Sequence, residues 1–491
     1  METLHAKWTS LVNRALSFFR IFGSFSGLWP RCAALMALGA AAPGVVHATP
    51  FHSVFYHRLQ GSFWAELADD TGARPTPREL AIASINDNFK SIRSLGFDTV
   101  TIGLPDSDNW VSQHGGGFSY DPKSSASGRP QFAVAQEIVL RIAAADHLKV
   151  IFAIGFSNYR RSTDGRSAWA GMADEYGSTS TPKGAYDFLH ALIDPTGFYG
   201  TGLTTTKLAN IGLQDGPVRS HVGDTRVVGW NFAGEWSPAI VNRDSHIHTH
   251  EHVFKKYWNF FYGLVHYHGA SNAFAATYLI GEPGGGEAQV KNIKAFKQWF
   301  APGSGIRQPD LVGVEFYCNG RTDPAGIGAE LNEMVDAMEK ADPGHYPDDF
   351  MISPAHVFLA EGGTDEATSP ATGTFFQDVF HVLTARDLAG IQLWVSDTLA
   401  DARDASGKLT VAVATPAYDL FTTRFSPAGE RSYKPLADGV SWHGGIVKGG
   451  SYADPESFTS SREIRPAAYG SWTYTGLTEK GRQVQQALSA P

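Results

Sequence analysis

Residues 76–104 read TPRELAIASINDNFKSIRSLGFDTVTIGL, and this stretch contains one complete helix–strand unit. Its first four residues, Thr76 to Glu79, have the pattern of a capping box with proline at the first helical position. Apolar side chains then recur at helical spacing until Gly96, which predicts the end of the helix. The apolar and β-branched run 97–104 follows at once and predicts a strand that is buried on both faces.

The same alternation continues along the chain. Short apolar runs predict strands at 52–57, 97–104, 149–156, 226–233, 274–281, 311–317, 356–361 and 391–396. Helical patterns lie after or between them, at 132–147, 184–192, 250–267, 287–300, 326–340, 375–388 and 478–488. Alternating strands and helices imply parallel strands joined by right-handed crossovers. Eight such strands predict an α/β fold of the (β/α)8 TIM-barrel type. An open doubly wound sheet is the alternative, although no glycine-rich nucleotide fingerprint follows the first strand.

Long insertions follow three of the predicted strands, at 106–130, 157–181 and 397–472, and the largest follows strand eight. In a barrel these segments are βα loops, which form the face that carries active sites. We therefore expect a single barrel domain over residues 49–491, with 397–472 as an insertion in its last βα loop.

The first 48 residues have the pattern of an export signal. Four bases (Lys7, Arg14, Arg20 and Arg31) precede an apolar run at 32–46, and the segment ends in the small-x-small sequence Val-His-Ala at Ala48. The apolar run is shorter than the roughly 20 residues that a membrane-spanning helix needs. The sequence predicts a secreted or periplasmic protein with no stable membrane insertion after cleavage.

The overall composition excludes several classes of protein. The chain is 43% hydrophobic and 12% aromatic, which is too rich in packing groups for a disordered chain. Its formal net charge of −9 argues against a nucleic-acid partner, because binding phosphates needs a basic surface. Two cysteines are too few for a disulfide scaffold.

Two glutamates stand at the ends of predicted strands on opposite sides of the barrel. Glu235 ends the fourth strand region and Glu361 ends the seventh. Buried acids at such positions are costly without a partner or a role. A carboxyl pair across one cleft suits glycoside hydrolysis, in which a protonated acid donates to the leaving oxygen and an ionised one attacks the anomeric carbon. A separation of about 5–5.5 Å would give retention of configuration.

On these residues the sequence resembles clan A of the glycoside hydrolases, which includes the family 5 cellulases and mannanases. Members are (β/α)8 barrels with an acid/base glutamate after strand four and a nucleophilic glutamate after strand seven. The resemblance implies that Glu235 is the acid/base, that Glu361 is the nucleophile, that Tyr317 orients the nucleophile, and that Trp394 stacks beneath the reacting sugar. It also implies that the barrel domain is the catalytic domain of a retaining hydrolase, which cleaves β-glycosidic bonds in a polysaccharide or oligosaccharide. Such an enzyme needs no cofactor and no metal.

One position departs from the clan pattern. The clan carries asparagine immediately before the acid/base, where this chain has Gly234. Asn231 lies four residues earlier on the same predicted strand face, and Glu282, after strand five, is an alternative acid. We therefore predict substrate contacts from Asn231, Trp236 and Glu282, in addition to those from Tyr317 and Trp394.

Two other functions remain open from the sequence. A glycan-binding protein on a degenerate barrel would bind sugars without releasing reducing ends. A metal-dependent hydrolase would use the histidines His246, His248, His250 and His252, and a chelator would inhibit it. Glu315 shares the strand parity of Tyr317 and is expected inside the barrel, either in a structural polar layer or in the site.

Overall fold

The computed structural model describes much of the chain between residues 50 and 489. The described residues are 50–56, 64, 66–67, 70, 74–104, 129–154, 185–232, 250–266, 273–279, 286–301, 303–317, 325–340, 352–363, 370–397, 399–403, 409–413, 419–431 and 467–489. All of them belong to the compact unit Thr49–Pro491. The predicted export signal at 1–48 lies outside the described residues.

Eight strands pair in chain order and close into one barrel. They are β1 (Phe51–Tyr56), β2 (Thr99–Leu104), β3 (Lys149–Ile154), β4 (Val227–Phe232), β5 (Phe274–Leu279), β6 (Leu311–Tyr317), β7 (Val357–Gly363) and β8 (Gly390–Leu393). Every neighbouring pair is parallel, including the closing pair of β1 with β8. The predicted (β/α)8 barrel is therefore confirmed, and the open doubly wound alternative is wrong.

Helices connect these strands at nearly the predicted positions. They are α1 (Pro77–Leu95), α2 (Arg129–Ala145), α3 (Ala185–Ile193), α4 (Pro195–Tyr199), α5 (His250–Val265), α6 (Gly286–Trp299), α7 (Ala325–Glu339), α8 (Pro370–Ala385) and α9 (Glu479–Ser489). Their apolar faces pack on the outward-facing strand residues, such as Val54, Val100 and Trp230, and form the main hydrophobic core. No helix in the described part of the chain is long and apolar enough to cross a membrane.

Helix α1 shows how local sequence sets an element boundary. The Thr76 hydroxyl accepts from the Glu79 amide at 3.3 Å, and the Glu79 carboxylate accepts from the Thr76 amide at 2.9 Å. The Thr76 amide thereby lowers the pKa of Glu79 below its usual value. Gly96 ends the helix at a φ of 113°, a left-handed conformation that favours glycine. The capping box and the stop signal read from the sequence are both present.

The insertion after strand eight contains strands that the sequence pattern did not predict. Strands β9 (Leu399–Arg403) and β10 (Leu409–Val413) pair antiparallel, and so do β11 (Phe421–Arg431) and β12 (Ala467–Leu477). Strand β12 extends beyond 472, the predicted end of the insertion, and the backbone amide of Trp472 donates to the Ser84 hydroxyl of α1 at 2.8 Å. The β11–β12 hairpin therefore packs against the barrel's own first helix.

Candidate active site at the carboxyl end of the barrel

Aromatic rings fill the barrel interior at the amino end of its strands. Phe51 stacks on Phe274 with ring centroids 5.7 Å apart and contacts Phe358 at 5.8 Å. The backbone of Gly390 lies so close that an added Cβ would be 2.4 Å from the Phe51 ring. This apolar layer fills the amino end of the interior among the described residues; the opposite, carboxyl end is here called the mouth.

A layer of polar side chains lies above the aromatic rings. The Thr101 hydroxyl donates to the Gln392 side-chain oxygen at 3.0 Å, and the Asn231 amide donates to the same oxygen at 3.0 Å. Ser53 and Thr101 share a further hydrogen bond of 2.7 Å. All four residues are at most 1% exposed. The network ties strands β1, β2, β4 and β8 together across the interior, in the layered manner of TIM barrels.

The uppermost layer forms the floor of the mouth. Phe55, Ala153 and Val395 form a small buried cluster, and the half-buried indole of Trp394 packs against it. The Trp394 and Phe55 ring centroids are 5.0 Å apart. Trp394 follows the last residue of β8 rather than lying within that strand, which is shorter than the predicted 391–396. Its peptide bond to Val395 is cis.

Glu315 lies inside the barrel, as its strand parity predicts. Its neighbours Val314 and Phe316 belong to the outer core, so the side chain of Glu315 is on the interior face, where it is 3% exposed. It pairs in register with Ala360 of β7. A buried carboxyl therefore lies two residues before Tyr317 on the strand that leads to the mouth.

Strand β7 contains an irregularity at the predicted nucleophile. Glu315 pairs with Ala360, but Tyr317 pairs with Gly363, so β7 uses one residue more than β6 between these pairs. The pairing with β8 shifts in the same place, and Gly362 pairs with Leu393. Glu361 lies within this bulge. A bulge interrupts the inward–outward alternation and often re-aims a side chain, so the strand period does not assign Glu361 to the outer face.

The register brings three of the predicted site residues to one place. Tyr317, Glu361 and Trp394 occupy the carboxyl ends of the adjacent strand segments β6, β7 and β8, each within one residue of a position paired with its neighbour. Asn231 is at a lower level of the interior, 1% exposed and bonded to Gln392.

The other predicted site residues lie wholly or in part outside the described residues. Glu235, Trp236 and Glu282 are not among the described residues, nor are His246 and His248. His250 and His252 lie in the first turn of α5, where only the backbone is described.

Sequence reasoning missed Gln392, the acceptor at the centre of the polar layer. A signal for it was present, because a lone polar residue in the apolar run Ile391-Gln392-Leu393 shares its face with Trp394. The partners of Gln392 could not be read in this way, since they come from strands that are distant in sequence.

A separate charged cluster lies at the amino end of β4. Arg226 donates to both oxygens of Glu137, at 2.8 and 2.9 Å, and to Asp224 at 2.6 Å. His221 packs between the Phe152 and Trp230 rings and the cluster, and burial lowers its pKa to about 4. The positive charge of Arg226 lowers the pKa of His221 further. The negative charges of Asp224 and Glu137 raise this pKa, but they only partly offset the effect of burial.

Among the described residues, Glu137, His221 and Asp224 form a group whose ligand atoms lie within 4.8 Å of one another. The Arg226 guanidinium already donates to both carboxylates, and Arg141 adds a second positive charge at Glu137, 2.9 Å away. A divalent cation would have to displace Arg226. We therefore interpret the cluster as a structural ion-pair network.

Comparisons with known proteins give structural likenesses only. No family model and no curated protein match the sequence. The chain is similar to the endo-β-1,4-mannanase from Thermotoga petrophila, at 12% identity and a TM-score of 0.41, over 84% of this chain and 75% of that one. It is also similar to a family 5 mannosidase from Rhizomucor miehei, at 10% identity and a TM-score of 0.43, over 90% of this chain and 92% of that one. A third likeness is to GH5_18 from Streptomyces cattleya in complex with GlcNAc, at 14% identity and a TM-score of 0.45, over 90% and 81%. The barrel itself is established by its strand pairing, independently of these likenesses.

Proposed function

We propose that this protein is a retaining glycoside hydrolase that cleaves β-glycosidic bonds of a polysaccharide or oligosaccharide. One observation carries the proposal: the register of β6, β7 and β8 brings Tyr317, Glu361 and the half-buried Trp394 together at the mouth of a closed barrel. A retaining glycosidase needs two carboxyl groups at its reacting centre, and Glu361 is one of them in this proposal. The roles of Tyr317 and Trp394 beside it are those that the resemblance to the clan implies. Barrels of this type have their active sites at this end.

The proposed reaction begins with attack by Glu361. Its ionised carboxylate forms a bond to the anomeric carbon while the bond to the leaving oxygen breaks, and Glu235 donates its proton to that oxygen. In the second half, the Glu235 carboxylate takes a proton from water, the water oxygen bonds to the anomeric carbon, and Glu361 leaves. Two inversions give net retention of configuration.

The supporting residues have separate tasks in this proposal. The phenol of Tyr317 holds Glu361 ionised by donating a hydrogen bond to it. Trp394 offers an apolar surface to the C–H face of the sugar. Asn231, being buried, acts through Gln392, whose backbone leads in two residues to Trp394.

Covalent trapping tests the proposal. The intact protein is exposed to activated 2-deoxy-2-fluoro-glycosides, a glucoside and a mannoside among them, and any adduct is located by peptide mass spectrometry. An adduct on Glu361 is the expected result, and Glu361→Gln should abolish it. An adduct on another carboxylate would keep the class of enzyme and move the nucleophile. No adduct, together with no reducing ends released from a polysaccharide panel, would leave a glycan-binding protein.

Leaving-group dependence identifies the acid. In Glu235→Gln, hydrolysis of an unactivated oligosaccharide should fall much more than cleavage of a dinitrophenyl glycoside, because a good leaving group needs no proton. Glu282→Gln is the matched comparison. If Glu282→Gln shows this selective loss and Glu235→Gln does not, the acid is Glu282.

We further propose that the protein is exported, on the basis of the signal pattern at 1–48. Expression in a bacterium with an export pathway should yield protein outside the cytoplasm that begins at Thr49. Amino-terminal sequencing measures this directly, and an intact terminus at Met1 would contradict it.

A further inference from the structure

The segment that carries Trp394 is fixed by backbone hydrogen bonds on both sides. The Ser396 amide donates to the Phe55 carbonyl of β1 at 3.0 Å, and the Leu420 amide donates to the Val395 carbonyl at 3.2 Å. The Phe421 amide donates to the Ser396 carbonyl at 3.1 Å. The chain just after Trp394 is thus held between β1 and the start of β11.

Asp397 ends this segment with a carboxylate that has no exposed surface. It accepts a hydrogen bond of 2.5 Å from the Tyr474 hydroxyl and one of 3.3 Å from the Ser396 hydroxyl. A buried carboxyl is costly unless donors compensate it. The shorter of these two bonds comes from β12, a strand outside the barrel.

Tyr474 is itself held firmly. Its ring stacks on Phe421 with centroids 4.3 Å apart and planes 5° from parallel. Its backbone amide donates to the Asn88 side chain of α1 at 3.1 Å, and Asn88 donates to the Tyr56 hydroxyl of β1 at 3.0 Å. The Tyr474 hydroxyl is therefore a donor fixed relative to the barrel wall.

We propose that Tyr474 and Asp397 are positioning residues that set the orientation of Trp394, and through it the affinity for the sugar. The role of Trp394 in this inference rests on the proposed function, whereas the hydrogen bond from Tyr474 to Asp397, here called the clamp, does not depend on it. Only Val395 and Ser396 lie between Trp394 and Asp397, so a shift of the carboxylate toward water moves the backbone that orients the indole. The hairpin β11–β12 would thereby contribute to the site without touching the substrate.

Tyr474→Phe is the direct perturbation. It keeps the ring that stacks on Phe421 and removes the hydroxyl that donates to Asp397. The matched control is Thr475→Val, which removes a hydroxyl from the next residue of the same strand, one that bonds Thr422 and not Asp397. A second pair addresses the acceptor: Asp397→Asn keeps an oxygen for Tyr474, whereas Asp397→Leu removes it.

The first readout needs no substrate. Protein labelled with 5-fluorotryptophan is compared by fluorine NMR, with Trp394→Phe identifying the Trp394 resonance. In Tyr474→Phe and Asp397→Leu this resonance should move or broaden beyond its wild-type linewidth, while Thr475→Val and Asp397→Asn leave it in place. An unchanged resonance in Tyr474→Phe overturns the inference, as does an equal change in Thr475→Val.

The second readout separates binding from chemistry. On the glycoside that the wild-type protein cleaves, Tyr474→Phe should raise KM by up to about tenfold, because binding must then restore the indole orientation that a hydrogen bond to a charged group had fixed, with kcat within about twofold. Asp397→Asn should keep the wild-type KM, because its side-chain oxygen still accepts from Tyr474. Loss of activity in Asp397→Asn would mean that the carboxylate acts on the substrate directly and would overturn the positioning role. If the wild-type protein cleaves no glycoside, the proposed function fails, and the NMR comparison alone still decides whether the clamp exists.

Discussion

Replacing His221 by phenylalanine should remove a defined pH dependence from the stability of the fold. The imidazole is 1% exposed, and neither ring nitrogen makes a hydrogen bond within the described structure. Phenylalanine keeps a ring between Phe152 and Trp230 while removing the group that titrates.

The magnitude follows from proton linkage. Burial lowers the pKa of His221 from 6.5 to about 4, so between these values the unfolded chain binds a proton that the folded one does not. The unfolding free energy is therefore independent of His221 titration above about pH 6.5, and it decreases as the pH falls from 6.5 toward 4, because only the unfolded chain takes up the proton. The shift corresponds to about 3 kcal/mol of unfolding free energy over that interval.

Urea unfolding midpoints at several pH values between 7 and 4 measure the effect. The wild-type protein should lose stability relative to His221→Phe by about 3 kcal/mol across this range. His356→Gln is the control, because His356 is exposed, and its curve should run parallel to that of the wild type. Parallel curves for the wild type and His221→Phe would refute the assignment of a buried, neutral imidazole.

Four further substitutions test the packing, capping and polar layer of the barrel, all read by unfolding midpoints. Gly390→Ala should destabilise by about 1–3 kcal/mol, because its Cβ would lie 2.4 Å from the Phe51 ring. Gly328→Ala, in an open position on α7, should instead stabilise by about 0.5–1 kcal/mol, and a loss there as large as in Gly390→Ala would contradict the steric reasoning. Thr76→Ala should cost about 1 kcal/mol by removing the cap of α1, and no change would mean that the capping box is not formed in solution. Thr101→Val should cost about 1–3 kcal/mol, because it removes one of the two donors to the Gln392 oxygen and the hydroxyl that bonds Ser53, and a neutral effect would argue against the polar layer.

Tertiary contacts account for what the sequence pattern missed. Strand β11 contains Pro427 and Gly429 with a register shift between them, and polar residues alternate irregularly along it. Such a stretch has no clear period of two, so it resembles a loop. It forms a strand because β12 pairs with it, and β12 is itself hydrogen-bonded to α1.

The sequence by itself determined that the fold is a barrel and that its candidate site lies at the carboxyl end of the strands. Parallel strands buried on both faces must be apolar runs, and their amphipathic helices must alternate with them, so eight runs were legible without any structure. The same periodicity predicted that Glu315 faces the interior, whereas Tyr317 and Trp394 were singled out by the resemblance to clan A.

Only the tertiary structure decided which distant residues meet. The bulge at Glu361 depends on pairing with both β6 and β8. The Gln392 network joins residues up to 291 positions apart, and the Tyr474–Asp397 bond joins a late strand to the barrel mouth. Local patterns encode burial and period because these act between near neighbours, whereas long-range partners are set by how the closed barrel brings its strands together.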